Sequence, residues 1–293
     1  MPSATLIGQS LLSGLFIGAL YGLLGIGLSL SWGLLRQINL SHFALAFLGA
    51  YLTYELGSGA VGSGVGGHAA GMDPLATLLI IVPGFFLFGM LLHWVLVRFS
   101  ISPFNSLLVT FGLTVILESL IQWIWTADYR RLESSYGAVK FKLGELFISL
   151  PDLITFVLAL GLSIVIWALL RFTDLGKAMR AVVEDTPIAV AFGINERLLG
   201  LVLSGASAAL AGIAGMCLAL SFTLAPAQIY LWVGVVFAVV MIGGLGNPVG
   251  ALVAGVVIGI AEAITMALTA PAWAPLVSFS LLIAVLLLRP DKI

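Results

Sequence analysis

Apolar residues run along this chain in nine blocks, at 6–34, 40–56, 75–97, 105–126, 152–170, 198–222, 229–247, 250–269 and 275–288, with polar or glycine-rich breaks between them. A helix needs about 20 mostly apolar residues to cross a bilayer, so most of these blocks predict membrane spans. The second and last are short, which predicts a half-helix, a re-entrant segment or a tilted element. The first is long and interrupted by Gly22, Gly25 and Gly27. From Leu198 to Ala261, 64 consecutive residues include no Asp, Glu, Lys, Arg or His. A helix in water needs a polar outer face, and no soluble domain hides such a length. The predicted fold is an all-α, polytopic membrane helix bundle of about 8–10 transmembrane or half-membrane helices, a single transmembrane domain over residues 1–293. The N-terminus lacks a basic n-region, so its apolar stretch reads as a retained first span rather than a cleaved signal.

Composition agrees. The chain is 61% hydrophobic and 9% charged, against about 25% charged in soluble domains. A net charge of -1 gives no basic face for a nucleic acid. Eight of the 25 charged residues lie between Arg171 and Arg197, a water-exposed loop and the natural place for another protein to dock. Nine crossings put Arg36, Arg98, Arg171, Lys177, Arg180, Arg197, Arg289 and Lys292 on one side, and Arg130, Arg131, Lys140 and Lys142 on the other. The positive-inside rule then places loop 171–197 and the C-terminus in the cytoplasm and the N-terminus outside. Loops 57–73, with seven glycines, and 127–151 become exterior connections.

Few residues carry chemistry. Thr110, Thr114, Glu118, Gln122 and Thr126 recur every four residues along one span and share a slowly drifting face. A carboxylate facing lipid costs about 2.5–3.5 kcal/mol, so the stripe predicts either a pore-lining face or an interhelical hydrogen-bond seam. Glu262, with Thr265 and Thr269, is a second intramembrane carboxylate, read as lining the pathway or pairing with a neighbouring helix. Asn39, Ser41 and His42 put polar groups at the entry to the second short block, where they line a cavity or cap a helix. Gly14, Gly18 and Gly22, with Gly255 and Gly259, predict close helix contacts, inside the subunit or between subunits. Cys217 reads as a packing residue, and His68 as a solvated loop histidine. Gly243 to Pro248 superficially resembles a phosphate loop, but it lacks the lysine and hydroxyl residue of that motif and predicts a tight turn. Any ATP chemistry must therefore reside on another chain.

The run Ala178-Met179-Arg180-Ala181-Val182-Val183-Glu184-Asp185-Thr186-Pro187-Ile188-Ala189-Val190-Ala191-Phe192-Gly193-Ile194-Asn195 resembles the cytoplasmic loop of permeases from branched-chain amino-acid (LIV-type) ABC importers. Residues 11–40, Gly49-Ala50-Tyr51 and Ile242–Ile264 are similar to that family in the same order. Ala261-Glu262-Ala263 fits the first of its two permease subunits. Phe43 and Ala44 depart from it, standing where Gly and an acidic residue are frequent. The resemblance implies a non-catalytic subunit in the bacterial inner membrane, paired with a second permease. Two cytoplasmic ATPase subunits carry ATP and Mg²⁺, and a periplasmic binding protein delivers substrate. This chain binds no cofactor or metal on that reading. Arg180, Glu184, Asp185, Thr186 and Gly193 would form one short coupling helix docking on an ATPase. Branched-chain amino acids, urea, short amides and aromatic acids all remain possible cargo. The alternative is an ion-gradient-driven transporter or channel using Glu118 and Glu262. An intramembrane enzyme is disfavoured, because no paired catalytic groups occur.

Overall fold

A computed structural model describes residues 4–58 and 71–288. His68, Arg289 and Lys292, and most of loop 57–73, lie outside the described residues. Each of the nine blocks is one helix: α1 (Ala4–Leu35), α2 (Ser41–Ser58), α3 (Pro74–Arg98), α4 (Pro103–Trp125), α6 (Leu150–Phe172), α9 (Glu196–Ser221), α10 (Ile229–Gly243), α11 (Pro248–Leu268) and α12 (Ala274–Leu288). Three short helices lie in the connections: α5 (Ser135–Ala138), α7 (Asp174–Glu184) and α8 (Thr186–Ala191). Seven helices are long and apolar enough to cross a membrane; α2 and α12 are outside that class. The chain is an all-α, polytopic membrane bundle.

Helix starts are set by side chains that accept orphan N–H groups. Asp73, Ser102, Ser149, Thr173, Asp185, Asn195 and Asn247 cap α3, α4, α6, α7, α8, α9 and α11 in this way. Proline follows within the first two helical positions of α3, α4, α6, α8 and α11, where its missing N–H costs nothing. Residues 127–151 hold more structure than a plain connection. A hairpin pairs β1 (Lys140–Leu143) with β2 (Leu146–Ser149), Leu143 opposite Leu146, across Gly144 at φ 67°.

The centre of the bundle is the pair α1–α11. A Cβ on Gly18 would stand 2.6 Å from the Gly255 carbonyl oxygen and from Val256 Cα, and one on Gly255 would stand 2.5 Å from the Gly18 oxygen. Gly14 and Gly259 repeat the arrangement one turn along. The obstacles are backbone, so neither helix can yield. The glycine stripes therefore pack within this chain and not between subunits, which lets dispersion contacts act along most of α1. The core then wraps around α1 and α9, where Phe43, Phe47, Tyr51 and Met216 are fully buried.

Two ends of the bundle differ. Gln9 Nε2 donates to the Phe147 carbonyl at 2.9 Å, Trp125 Nε1 to Glu55 at 2.8 Å and Tyr136 to Asp73 at 2.7 Å, gathering the hairpin and its neighbours at one end. The Tyr136 hydroxyl holds the Asp73 carboxyl below its usual range. The opposite end carries α7, α8, Arg36, Arg98 and Arg197.

Gly18→Leu should lower the stability of the detergent-solubilised chain by about 1–3 kcal/mol or more, the usual cost of overpacking. Gly161→Ala is the control, because no heavy atom lies within 4 Å of its added Cβ. Equal melting temperatures for both variants would contradict the packing described.

Candidate functional site

The segment after α1 turns back into the bundle. Arg36 adopts a left-handed backbone (φ 53°), and residues 37–39 carry no regular structure before Leu40 turns into the start of α2. His42 Nε2 lies 3.1 Å from the Leu24 carbonyl oxygen, and its ring packs on Gly27. Eight helical residues separate Gly27 from the end of α1, so α2 begins about 12 Å inside the bundle at 1.5 Å per residue. The short second block is thus an element that starts at depth.

Polar groups meet at this start. The Asn39 carboxamide oxygen accepts from the Ser41 backbone N–H (3.1 Å) and hydroxyl (2.6 Å). The Leu40 N–H donates to Thr110 Oγ1 at 3.1 Å, which joins the segment to α4. Asn39 therefore stabilises the helix entry, and Thr110 lies beside it. Thr114, one turn on, is buried and donates to the Thr110 carbonyl at 2.8 Å. His42 belongs to a different environment: it is fully buried among α1 groups and its Nδ1 has no partner.

Further along α4 the stripe opens outward. Glu118 is half-buried and Gln122 exposed. Tyr230, at the start of α10, donates to Glu118 Oε2 at 2.6 Å, and Gln122 Nε2 donates to Oε1 at 3.3 Å. Around them α4 shows an apolar surface to the outside of the chain, with Trp123 81% exposed. A carboxylate on such a face needs water or another subunit over it.

Glu262 lies elsewhere. It is 4% exposed and accepts from Tyr21 of α1 at 2.8 Å and from Ser278 of α12. Both oxygens are engaged by hydroxyls of this chain, which makes a seam joining α1, α11 and α12. The seam borders a cleft of about 630 Å³ that Phe47, Phe222, Tyr230 and Trp232 also line. Cys217 is buried in the core.

The segment read as one coupling helix is two. Asp185 ends α7 and its carboxylate caps α8, accepting from the Ile188 N–H at 3.0 Å. Pro187 has no N–H to offer the Val183 carbonyl, so a continuous helix would leave that oxygen unpaired. Arg36 supplies the missing donor: its Nη2 reaches Val183 O at 2.7 Å. The Thr186 hydroxyl serves Val182 O at 2.8 Å. Gly193 (φ 87°) closes α8, with its N–H on Val190 O and the Ile194 N–H on Ala189 O, a Schellman ending. Arg180 donates back to the Leu170 carbonyl, and Glu184 is exposed. What charge patterning missed is apolar. Ile188, Val190 and Phe192 stand in the open, Phe192 85% exposed.

Family comparison decides the class. The model of the branched-chain amino acid transport system permease component matches residues 10–286. The chain belongs to that family. It is 25% identical to the high-affinity branched-chain amino acid transport system permease protein LivH of Salmonella typhimurium, over 97% of this chain and 94% of the relative. It is also 25% identical to BraD of Pseudomonas aeruginosa, of the same description, over 100% and 97% of the two chains. A probable LivH of Methanocaldococcus jannaschii is 35% identical over 50% of this chain and 47% of its own. No solved structure matches significantly. The protein is the permease component of a branched-chain amino-acid-type ABC transport system, a multi-pass membrane subunit.

The two carboxylates should separate on substitution. Glu262→Gln should shift melting by the equivalent of about 0.6–2 kcal/mol and leave substrate KM unchanged, because its partners are structural. Glu118→Gln should change transport rate. A Glu118→Gln effect confined to stability would place that residue in a seam as well.

Proposed function

We propose that this permease is one of two homologous membrane subunits of an ATP-driven importer for branched-chain-like amino acids or similarly small polar solutes. Separate cytoplasmic ATPase subunits bind ATP and Mg²⁺, and a periplasmic binding protein delivers the cargo. The observation that carries the reading is the α7–α8 element. It combines open apolar side chains at Ile188, Val190 and Phe192 with Glu184 at its rim, the apolar-centre, polar-rim composition of a protein interface.

The orientation follows the positive-inside rule. Arg36, Arg98, Arg171, Lys177, Arg180 and Arg197 belong to the end that carries α7 and α8, which is cytoplasmic on this reading. The N-terminus is then outside and the C-terminus inside, in a bacterial inner membrane.

Transmission runs through Arg36. One end of this residue begins the segment that leads to Asn39, Ser41 and Thr110; its guanidinium completes α7. ATPase closure that displaces α7 and α8 thereby pulls on the entry of α2. A bistable bundle converts such a local push into a change of access. The pathway runs along Glu118 and Gln122, covered on the open side of α4 by the second permease, and reaches Asn39 and the now buried Ser41, Thr110 and Thr114 when the entry of α2 moves. His42 supports this path from behind, and Glu262 holds the helices that flank it.

Ile188→Glu with Phe192→Glu should abolish co-purification of the ATPase subunits while the permease still inserts; Glu184→Arg should weaken it. Arg36→Gln should leave the ATPases bound and raise the ATP hydrolysed per solute imported about tenfold. Full co-purification by the double variant would refute the docking surface.

A further inference from the structure

At the end of the bundle that carries α7 and α8, helices α3 and α9 leave a cleft of about 380 Å³. His93, Trp94, Arg98 and Ser100 line it from α3 and its C-terminal turn; Arg197 and Leu201 line it from α9. Lys177–Asp174 is the one ion pair among the described residues, so no carboxylate among them neutralises Arg98 or Arg197. Glu196 is adjacent in sequence to Arg197 and makes no pair with it. His93 is 7% exposed, and its Nδ1 has no hydrogen-bond partner. Two exposed guanidinium groups without an ion-pair partner thus line one cleft beside a buried imidazole. Two cations lining one cleft suit an anion between them, and guanidinium groups match phosphate oxygens bidentately.

The apolar surroundings narrow the source of that anion. Leu79, Leu87, Leu91 and Trp94 form an exposed strip along the outer face of α3 that ends at the cleft. A soluble phosphate ester has no use for such a strip, whereas acyl chains lie along it. Trp94 stands exposed one turn before Arg98 at the end of α3, a place where indole rings suit the boundary between hydrocarbon and headgroups. Basic pockets between membrane helices bind lipid headgroups by this combination of charge and apolar wall.

We propose that the α3–α9 cleft binds the phosphate headgroup of an anionic phospholipid, gripped by Arg98 and Arg197 with its acyl chains on the α3 strip. The bound lipid ties the end of α3 to the first turn of α9, directly after α8. The inference depends on the membrane class of the chain and not on its cargo or its orientation.

Native mass spectrometry of the full chain in detergent, with added phosphatidylglycerol or phosphatidylcholine, tests it. Wild-type protein should retain phosphatidylglycerol over phosphatidylcholine, and Arg98→Gln with Arg197→Gln should reduce that retention about tenfold. Arg171→Gln with Lys177→Gln removes the same charge from the same end and should keep the lipid. Unfolding of the first variant is monitored by its melting curve; if it fails to fold, each single Gln substitution should give a partial loss. Equal retention of both lipids, or loss in the control pair, overturns the proposal. So does displacement of the lipid by millimolar inorganic phosphate, which assigns the cleft to a soluble anion. Loss of ATPase co-purification with lipid retention intact assigns the two arginines to a protein contact instead.

Discussion

Everything in this bundle is referenced to the backbone contact between α1 and α11. With no side chain at Gly14, Gly18, Gly255 or Gly259, the two helices approach until carbonyl oxygens meet Cα atoms. Lipid gives helices no hydrophobic reason to associate, so close dispersion contact must supply the attraction. Once α1 is fixed, the rest follows from it. Tyr21 projects to Glu262 and recruits α12 through Ser278. Ser29 receives Gly246 and locates the turn between α10 and α11. Gly27 leaves room for the His42 ring and sets the depth at which α2 begins. A single rigid pair thereby positions the seam, the turn and the entry of α2.

The second organising fact is a trade of donors at the other end of α1. Proline at position 187 breaks what would have been one amphipathic helix and frees a carbonyl at Val183. Arg36 occupies that vacancy, so the docking element is bonded to the segment that shapes the polar entry. With α8 held by its Asp185 cap and its glycine ending, Ala189 is buried while Ile188, Val190 and Phe192 stay exposed. The chain exposes an apolar surface there and ties it to the entry of α2 by one side chain.

Much of this was legible in the sequence. Hydropathy located all nine helices to within a few residues, because membrane burial writes itself into length and composition. The glycine spacing was readable too, though the choice between an internal and an intersubunit contact needed tertiary structure. The hairpin at 140–149 escaped notice because strands of four residues leave too little periodicity. The split at Asp185 escaped because Pro187 is as acceptable in the first turn of a new helix as it is disruptive inside an old one. The spacing of Thr110, Thr114, Glu118 and Gln122 was visible, but it hid a division. The two threonines are spent on this chain's own backbone, and only the outer pair faces away. Tyr21 lies 241 residues from Glu262, so no local pattern could announce their bond.

On the proposed function, energy enters this permease from partner ATPases through α7 and α8. That entry is tested most directly by co-reconstituting the chain with its second permease, the ATPases and the binding protein, and following uptake of a branched-chain amino acid into proteoliposomes. Uptake should require ATP inside the cytoplasm-equivalent compartment and stop when the ATPases are omitted. Uptake by this chain alone, driven by a pH gradient without ATP, would contradict the account.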